Sequence, residues 1–347
     1  MIKFIHCTDL HIMGRNPLYR KDDYLQTIKE KIKWINSYAE CTGARAILCT
    51  GDIFDKPDTS YGVLNNDIIS LFKNSPVMWY TIAGNHDMFG YNPATLSRTP
   101  YQTLIQSDAI YPIDSQGLTD VSPGLGGMVR IEITGTDCNA LTDNREDKEY
   151  DYGGCLPPRS GNVIRIHMAH GFLANKDWGD KIAHTQISEI SDKVDVDVVL
   201  CGHEHSGFGI VKQNGTIFIN PGSLGRITSG VGDINRNPQI AEITIDKNGV
   251  DAKLIDVAVA KNADEVIDYE KAKEIKEKKK ALEAFTNQLT GDNQLQIEEN
   301  MSVFDCINLA KKKMIEDMGV APTYADIIVD EAKSVIQKAM EKTGGEI

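Results

Sequence analysis

The sequence predicts a mixed α/β (α+β) fold with a C-terminal helical extension, and three observations carry that prediction. Apolar runs of strand length alternate with helix-period segments through the first half, a pattern that calls for parallel strands joined by crossovers. Over residues 208–259 the period drops to two, the mark of turn-linked antiparallel strands that would form a second sheet layer. After Lys261 the text turns helical and heavily charged. With 347 residues there is chain enough for one large domain, 1–261, and an appendage, 262–347.

The elements follow in order. Residues 2–8 form an apolar strand that ends in Asp9, Leu10 and His11. Between residues 22 and 41 the positions Leu25, Ile28, Ile32, Ile35 and Ala39 recur at helical spacing, with Asp22 or Asp23 suited to cap the first turn. That helix crosses over into a strand at 45–50, which ends in Gly51 and Asp52, with Asp55 three residues further on. A second helix near 63–72 leads to the apolar run Val77, Met78, Trp79, Tyr80 and Ile82, which stops at Gly84 and presents Asn85, His86 and Asp87 together. Residues 98–106 read as helix, 115–127 as a Gly-rich loop without nucleotide-fingerprint spacing, and 128–134 as a strand.

Residues 143–160 are polar and hold Pro157 and Pro158, so they read as an exposed loop or insertion and a candidate lid. A strand at 163–168 then runs into His170 and Gly171, and another at 196–200 into Gly202, His203, Glu204 and His205. The tight loop Asn220, Pro221, Gly222, Ser223 is expected to abut the site. In the tail, Ala272, Ile275, Leu282, Phe285 and Leu289 make one narrow stripe, and Gly291 to Asn293 break it. Val303, Ile307, Ala310 and Met314 make a second stripe and Ile328, Ala332, Val335 and Ala339 a third, with Pro322 between. This tail is too small and too thinly apolar for a large core of its own, so it packs on the catalytic domain, on a partner, or on both.

The net charge of −13 argues against coating nucleic acid by bulk electrostatics. It leaves room for a nuclease whose acidic cluster holds cations and which meets its substrate locally. The local candidates for substrate binding are Arg15, Arg20 and Lys21, in the loop after the first polar strand end. The 7 cysteines are scattered and lack a CxxC pair, so neither a disulfide framework nor a thiolate zinc site is expected. No apolar run approaches bilayer-spanning length, and the expected location is cytoplasmic, with no membrane contact.

Five strand ends thus deliver hard or borderline ligands, and strand ends in such folds converge on one edge. Carboxylate and amide oxygens mixed with imidazoles, without thiolate, suit Mn²⁺, Fe²⁺ or Zn²⁺, with Mg²⁺ a further alternative. The metal candidates are Asp9, His11, Asp52, Asn85, His170, His203 and His205, more than one ion needs, so two metals are expected with Asp52 as the shared carboxylate. His86, outside the metal set, would protonate or stabilise a leaving oxygen, with Asp87 fixing its ring. His170 is preferred over His167 because alternation puts His167 inside the strand. His6 and His184 read as structural, and Asp55 equally as an acid behind the site or a turn former. Tyr91 and Trp178 are packing aromatics or base-stacking ones.

Asp9-x-His11, Gly51-Asp52, Gly84-Asn85-His86-Asp87, His170 and Gly202-His203-x-His205, in this order, resemble the five motifs of the calcineurin-like metallophosphoesterase superfamily. The resemblance implies a two-layer β-sandwich flanked by helices. It assigns Asp9, His11, Asp52 and His205 to one metal, and Asp52, Asn85, His170 and His203 to the other. Within the superfamily the chain is most similar to the SbcD-type nuclease subunit of double-strand-break repair complexes, particularly compact phage-type recombination endonucleases. Gly51-Asp52-Ile53-Phe54-Asp55 with Pro57 and Ser60, and Arg20-Lys21-Asp22-Asp23-Tyr24, carry that likeness. It implies Mn²⁺-dependent exonuclease and endonuclease action on DNA, a homodimer, and C-terminal helices that grip the coiled-coil base of an SbcC-type ATPase. The alternative is a small-molecule or cyclic-nucleotide phosphodiesterase or phosphatase of the same superfamily, which the metal motifs support equally. A catalytically dead scaffold is disfavoured because no expected ligand is missing.

Overall fold

The computed structural model describes residues 1–113, 119–120, 130–157, 159, 161, 163–227, 236–275, 277, 303–316 and 319–343. The chain divides into two compact units, Met1–Ile267 and Asp268–Ile347.

In the first unit, β1 (Ile2–Cys7) is followed by α1 (Tyr24–Thr42) and β2 (Ala46–Cys49). The Asp23 carboxylate accepts the Gln26 N–H at the start of α1, and Gly43, at φ 66°, closes its end on the Ala39 and Glu40 carbonyls. A helix over 61–73, here α2, has its central turn Leu64–Ile68 wound as a π-turn, and leads into β3 (Met78–Thr81). The predicted helix near residues 98–106 is a 3₁₀ turn, Pro93–Arg98, followed by α3 (Pro100–Gln106). β4 (Tyr111–Pro112) completes a parallel array β1-β2-β3-β4.

A second sheet holds β5 (Thr119–Asp120), β6 (Arg130–Thr136), β7 (Val163–Ala169), β10 (Val198–Cys201), β11 (Gly209–Gln213) and β12 (Thr216–Asn220) in the order β11-β12-β10-β7-β6-β5. A short pair, β8 (Leu173–Ala174) and β9 (Thr185–Gln186), lies outside both sheets. Successive side chains sort to opposite faces. Phe4, Leu48, Ile166, Met168, Val198 and Leu200 enter one core shared by the sheets. Ile5, Ile47 and Cys49 turn to the core formed with Ile28, Ile32 and Ile35 of α1. On the second sheet Val199, Cys201 and Phe218 pack with Tyr152, Ile187 and Ile190. Strands buried on both faces explain why the sequence shows unbroken apolar runs there.

Two expectations are corrected. The period-two strands of residues 208–259 do not form one sheet. β13 (Gln239–Asp246) and β14 (Gly249–Asp256) join the first sheet, β13 antiparallel to β1 with Ile2 opposite Ile245, and only β11 and β12 extend the second. Alternation records that a strand has a buried face, here Ala241, Ile243 and Ile245 in the shared core, and says nothing of its neighbour. Residues 143–160 are not an exposed lid: they hold a 3₁₀ turn, Lys148–Tyr152, whose Tyr152 is fully buried. The polar letters hid a carboxylate at Asp143 that accepts the Tyr152 hydroxyl at 2.7 Å.

In the second unit, α4 (Val303–Glu316) and α5 (Pro322–Thr343) pack through Ile307, Ala310 and Met314 with Ala325, Ile328 and Val329, a small core of its own. Pro322 opens α5, where its missing N–H costs nothing. The expected stripe at Leu282, Phe285 and Leu289, the break at Gly291 to Asn293 and most of the Gly-rich loop 115–127 lie outside the described residues. Among the described residues no helix is long and apolar enough to cross a membrane.

Candidate metal centre

Parallel strands end side by side, so the loops after β1, β2 and β3 meet at one edge. The Asp9 N–H donates to the Gly51 carbonyl at 3.2 Å and the His11 N–H to the Asp52 carbonyl at 3.0 Å. Gly84 lies so close to Asp52 that an added Cβ would strike its carboxylate and backbone nitrogen. The loops after β7 and β10 arrive from the other sheet, and the His203 N–H bonds the Asp9 carboxylate at 3.1 Å. Asp9, His11, Asp52 and His203 all have left-handed backbones, φ 53°, 47°, 50° and 73°. For residues other than glycine this costs roughly 1–2 kcal/mol each, and it persists here because packing on all sides dictates it.

Two overlapping sets of side chains share Asp52: Asp9, His11, Asp52 and His205 form one, and Asp52, His170 and His203 the other, each with ligand atoms within 4.8 Å of one another; His11, Asp55 and His86 make a third group by the same measure. His11 Nε2 and His205 Nε2 lie 3.1 Å apart, and His205 Nε2 is 3.6 Å from Asp9 Oδ1. Asp52 Oδ2 stands 3.7 Å from His11 Nε2 and 3.3 Å from His170 Nε2, the one carboxylate common to both sets. Asn85 Oδ1 approaches His170 Nε2 at 3.1 Å and so joins the second set. His170 Nδ1 sits 2.6 Å from the Thr50 carbonyl. A carbonyl only accepts, so Nδ1 carries a hydrogen and Nε2 is the nitrogen turned to the centre, where a bound cation would take the place of any proton on it.

Imidazole lone pairs and buried carboxylate oxygens turned on one another repel unless positive charge lies between them, so this donor set fits divalent cations. Burial pushes Asp9 above the usual carboxylate range, against the pull of His205 and His170. Burial acts the same way on Asp52, but His170, then His11 and His86, hold it well below that range. Burial opposes protonation of His170, and the Asp52 carboxylate beside it outweighs this and raises it to about 10. Burial and then His170 lower His203 to about 3.

His86 stands edge-on to His11, with ring centroids 4.9 Å apart, and its Nδ1 lies 2.6 Å from the Asp55 carbonyl. The expectation that Asp87 fixes this ring is corrected. The Asp87 carboxylate is buried and accepts the N–H groups of Ile53, Phe54 and Gly84 at 3.3, 3.0 and 3.0 Å, tying the loop after β2 to the loop after β3. A main-chain carbonyl orients His86 instead, and no residue letter signals that. Asp55 backs the site, its Oδ1 3.7 Å from His11 Nδ1.

Of the expected substrate-binding residues, Arg20 is turned inward. Its guanidinium clasps Asp22 with two bonds of 2.8 Å and donates to the Arg226 carbonyl, with 1% of the side chain exposed, so it cannot reach a phosphate. Lys21 donates to the Asp264 carbonyl at 3.0 Å, also away from the site. Arg15 is exposed and lines a cleft of about 370 Å³ with Lys56 and Asp55. His167 lies inside β7 on Thr134 and the Asp151 carbonyl, and His6 inside β1 on Thr50. The Asn220–Ser223 loop does abut the site, since the Ser223 hydroxyl donates to the Asp9 carbonyl at 3.0 Å.

The family model for calcineurin-like phosphoesterases matches residues 2–207. No curated protein matches the chain. Among solved structures it is similar to a putative 5′-nucleotidase from Staphylococcus aureus, at 14% identity over 74% of this chain and 54% of that one, with a TM-score of 0.46. It is also similar to a calcineurin-like phosphoesterase from Bacillus subtilis, at 12% identity over 74% of this chain and 91% of that one, TM-score 0.43. A 5′-nucleotidase precursor from Thermus thermophilus aligns at 12% identity over 83% of this chain and 60% of that one, TM-score 0.42. The chain thus spans about half the length of the first of these proteins and three fifths of the last.

Proposed function

The chain belongs to the calcineurin-like phosphoesterase family, and from that premise we propose that it is a DNA exo- and endonuclease subunit acting in recombination and repair. The observation that carries the DNA reading is the cleft where Arg15 and Lys56 flank Asp55, whose carbonyl holds His86. Two cationic side chains beside the group that meets the leaving oxygen suit a leaving group that is itself anionic, as the next nucleotide of a strand is.

Asp9, His11, Asp52 and His205 would hold one cation and Asp52, Asn85, His170 and His203 the other, with Mn²⁺ the first choice. When bound, such a pair supplies Lewis-acid charge for in-line displacement at phosphorus and lowers the pKa of the attacking water. Because His86 commits its Nδ1 hydrogen to the Asp55 carbonyl, Nε2 is the nitrogen that faces the leaving oxygen, and it gives a proton from the imidazolium form, which returns to neutral imidazole as the bond to phosphorus breaks. Asp87 keeps the two loops that carry Asp52 and His86 in fixed relation. Helices α4 and α5 are the proposed seat for an SbcC-type coiled-coil ATPase, and the working form is a homodimer.

A small-molecule or cyclic-nucleotide phosphodiesterase is the second reading, favoured by the net charge of −13. The test is hydrolysis of labelled linear and single-stranded DNA with Mn²⁺, beside bis-p-nitrophenyl phosphate, by wild type and His86→Ala. DNA cleavage that His86→Ala abolishes is the expected result. Turnover of the small ester with DNA untouched, also in the presence of an SbcC-type ATPase, would give the second reading the field.

A further inference from the structure

We propose that the cavity beside His203 is a nucleobase pocket and that Tyr91 is its stacking platform; the proposal rests on the phosphoesterase reading above and names which part of the substrate this side of the site receives. The cavity measures about 300 Å³, at the lower end for ligand sites, and Tyr91, Asn139, Thr142, Asn144 and His203 line it. His203 belongs to the second ligand set, so a group in the cavity is attached within reach of the phosphorus.

The lining decides the class of group. No Lys or Arg is among the described residues that line the cavity, so it does not serve a second phosphate. Asp143, the one carboxylate of the lining, is taken up by internal donors, and the side-chain amides, hydroxyl and aromatic ring beside it suit an uncharged planar group with a hydrogen-bonding edge. A nucleobase has that chemistry, and every base offers a π-face.

Tyr91 is placed by strain. Gly90 and Tyr91 are consecutive left-handed residues, φ 59° and 54°, and the second carries a bulky side chain where such backbones are uncommon. Tyr91 is 47% exposed instead of packing in the core. The wall carrying Thr142 and Asn144 is held rigid by Asp143, whose buried carboxylate accepts the Tyr152 hydroxyl at 2.7 Å, the Phe172 N–H at 2.6 Å and the Thr185 hydroxyl at 2.6 Å. Phe172 follows His170 closely in the chain, so the same carboxylate ties the pocket wall to the ligand loop.

Two esters with the same leaving group test the pocket: thymidine 5′-(4-nitrophenyl phosphate), which carries a base, and methyl 4-nitrophenyl phosphate, which does not. The readout is the ratio of their kcat/KM values with Mn²⁺, measured on the full chain. We expect wild type to prefer the thymidine ester, Tyr91→Ala to lower that ratio about tenfold through KM, and Tyr91→Phe to retain it. Tyr91→Gly, which a left-handed backbone accepts without strain, should lower the ratio as Tyr91→Ala does and guards against a folding loss. A wild-type ratio near one, or a ratio that Tyr91→Ala and Tyr91→Gly leave unchanged, overturns the pocket while the phosphoesterase reading stands. Wild type that hydrolyses neither ester overturns both.

Discussion

The first sheet delivers Asp9, His11, Asp52 and Asn85 to the centre, every oxygen donor among its ligands, while the second delivers only the imidazoles of His170, His203 and His205. Their settings differ as well. Asp52 has 1% of its side chain exposed, within loops knitted to one another by main-chain bonds and by the Asp87 carboxylate, whereas in the second sheet His170 is as buried but His205 has 24% exposed. The negative charge that binds cations is thus built into one sheet, and the neutral donors close over it from the other. Damage to the first should remove the centre; damage to the second should loosen it.

The largest effect is expected at Asp52, where Asp52→Asn removes charge from both ligand sets. Hydrolysis of bis-p-nitrophenyl phosphate should fall at least about a thousandfold, the equivalent of about 4 kcal/mol, with bound metal falling in parallel by atomic emission. Retained metal in that variant would break the asymmetry between the sheets. His205→Ala takes only a neutral donor from one set. It should raise the Mn²⁺ concentration for half-maximal activity about 10- to 100-fold and recover most activity at saturation. An activity loss that no Mn²⁺ concentration repairs would place the second sheet on a par with the first.

A glycine in each sheet's ligand loops sharpens the comparison through stability. The added methyl of Gly84→Ala meets the Asp52 backbone and carboxylate, while that of Gly171→Ala meets side chains alone, the Tyr152 hydroxyl, the Thr142 methyl and the Asp143 carboxylate. Urea unfolding should show a loss of about 3 kcal/mol for the first and about 1 kcal/mol for the second. Equal losses would mean that the two edges are equally rigid.

The smallest effect concerns pH. Each sheet hides a neutral histidine behind its ligands, His6 in β1 and His167 in β7, and burial pushes their pKa values down to about 3 and about 4. Both lie below the unfolded value of about 6.5, so the unfolded chain takes up protons first as pH falls. Stability from these groups is complete above about pH 6.5 and declines from there toward pH 3 for His6 and pH 4 for His167, by up to about 1.4 kcal/mol per pH unit each. In urea titrations at pH 7, 6 and 5, His6→Gln and His167→Gln should each flatten that decline by a similar amount. A change in one alone would show that the sheets differ in their cores and not only at their edges.

The ligands were legible because each interrupts an apolar run at its carboxyl end: Asp9 after Cys7, Asp52 after Cys49, His203 after Cys201. Helix α1 was legible from the spacing of Ile28, Ile32 and Ile35, its buried stripe. Arg20 was misread because a cation near a site in sequence looks the same whether it meets solvent or, as here, Asp22 and a carbonyl. Asp87 was misread because its partners are main-chain N–H groups, which every residue except proline carries.

By itself the sequence determined the strands, the crossover helices, the ligand chemistry and the order of the motifs, because these follow from local period and from side-chain type. Only the tertiary structure decided that β13 pairs with β1 and β14 with β13, that the ligands come from two sheets, and that Asp52 stands between both sets. Those are matters of long-range pairing, and alternation along a strand defines its faces without naming the strand beside it.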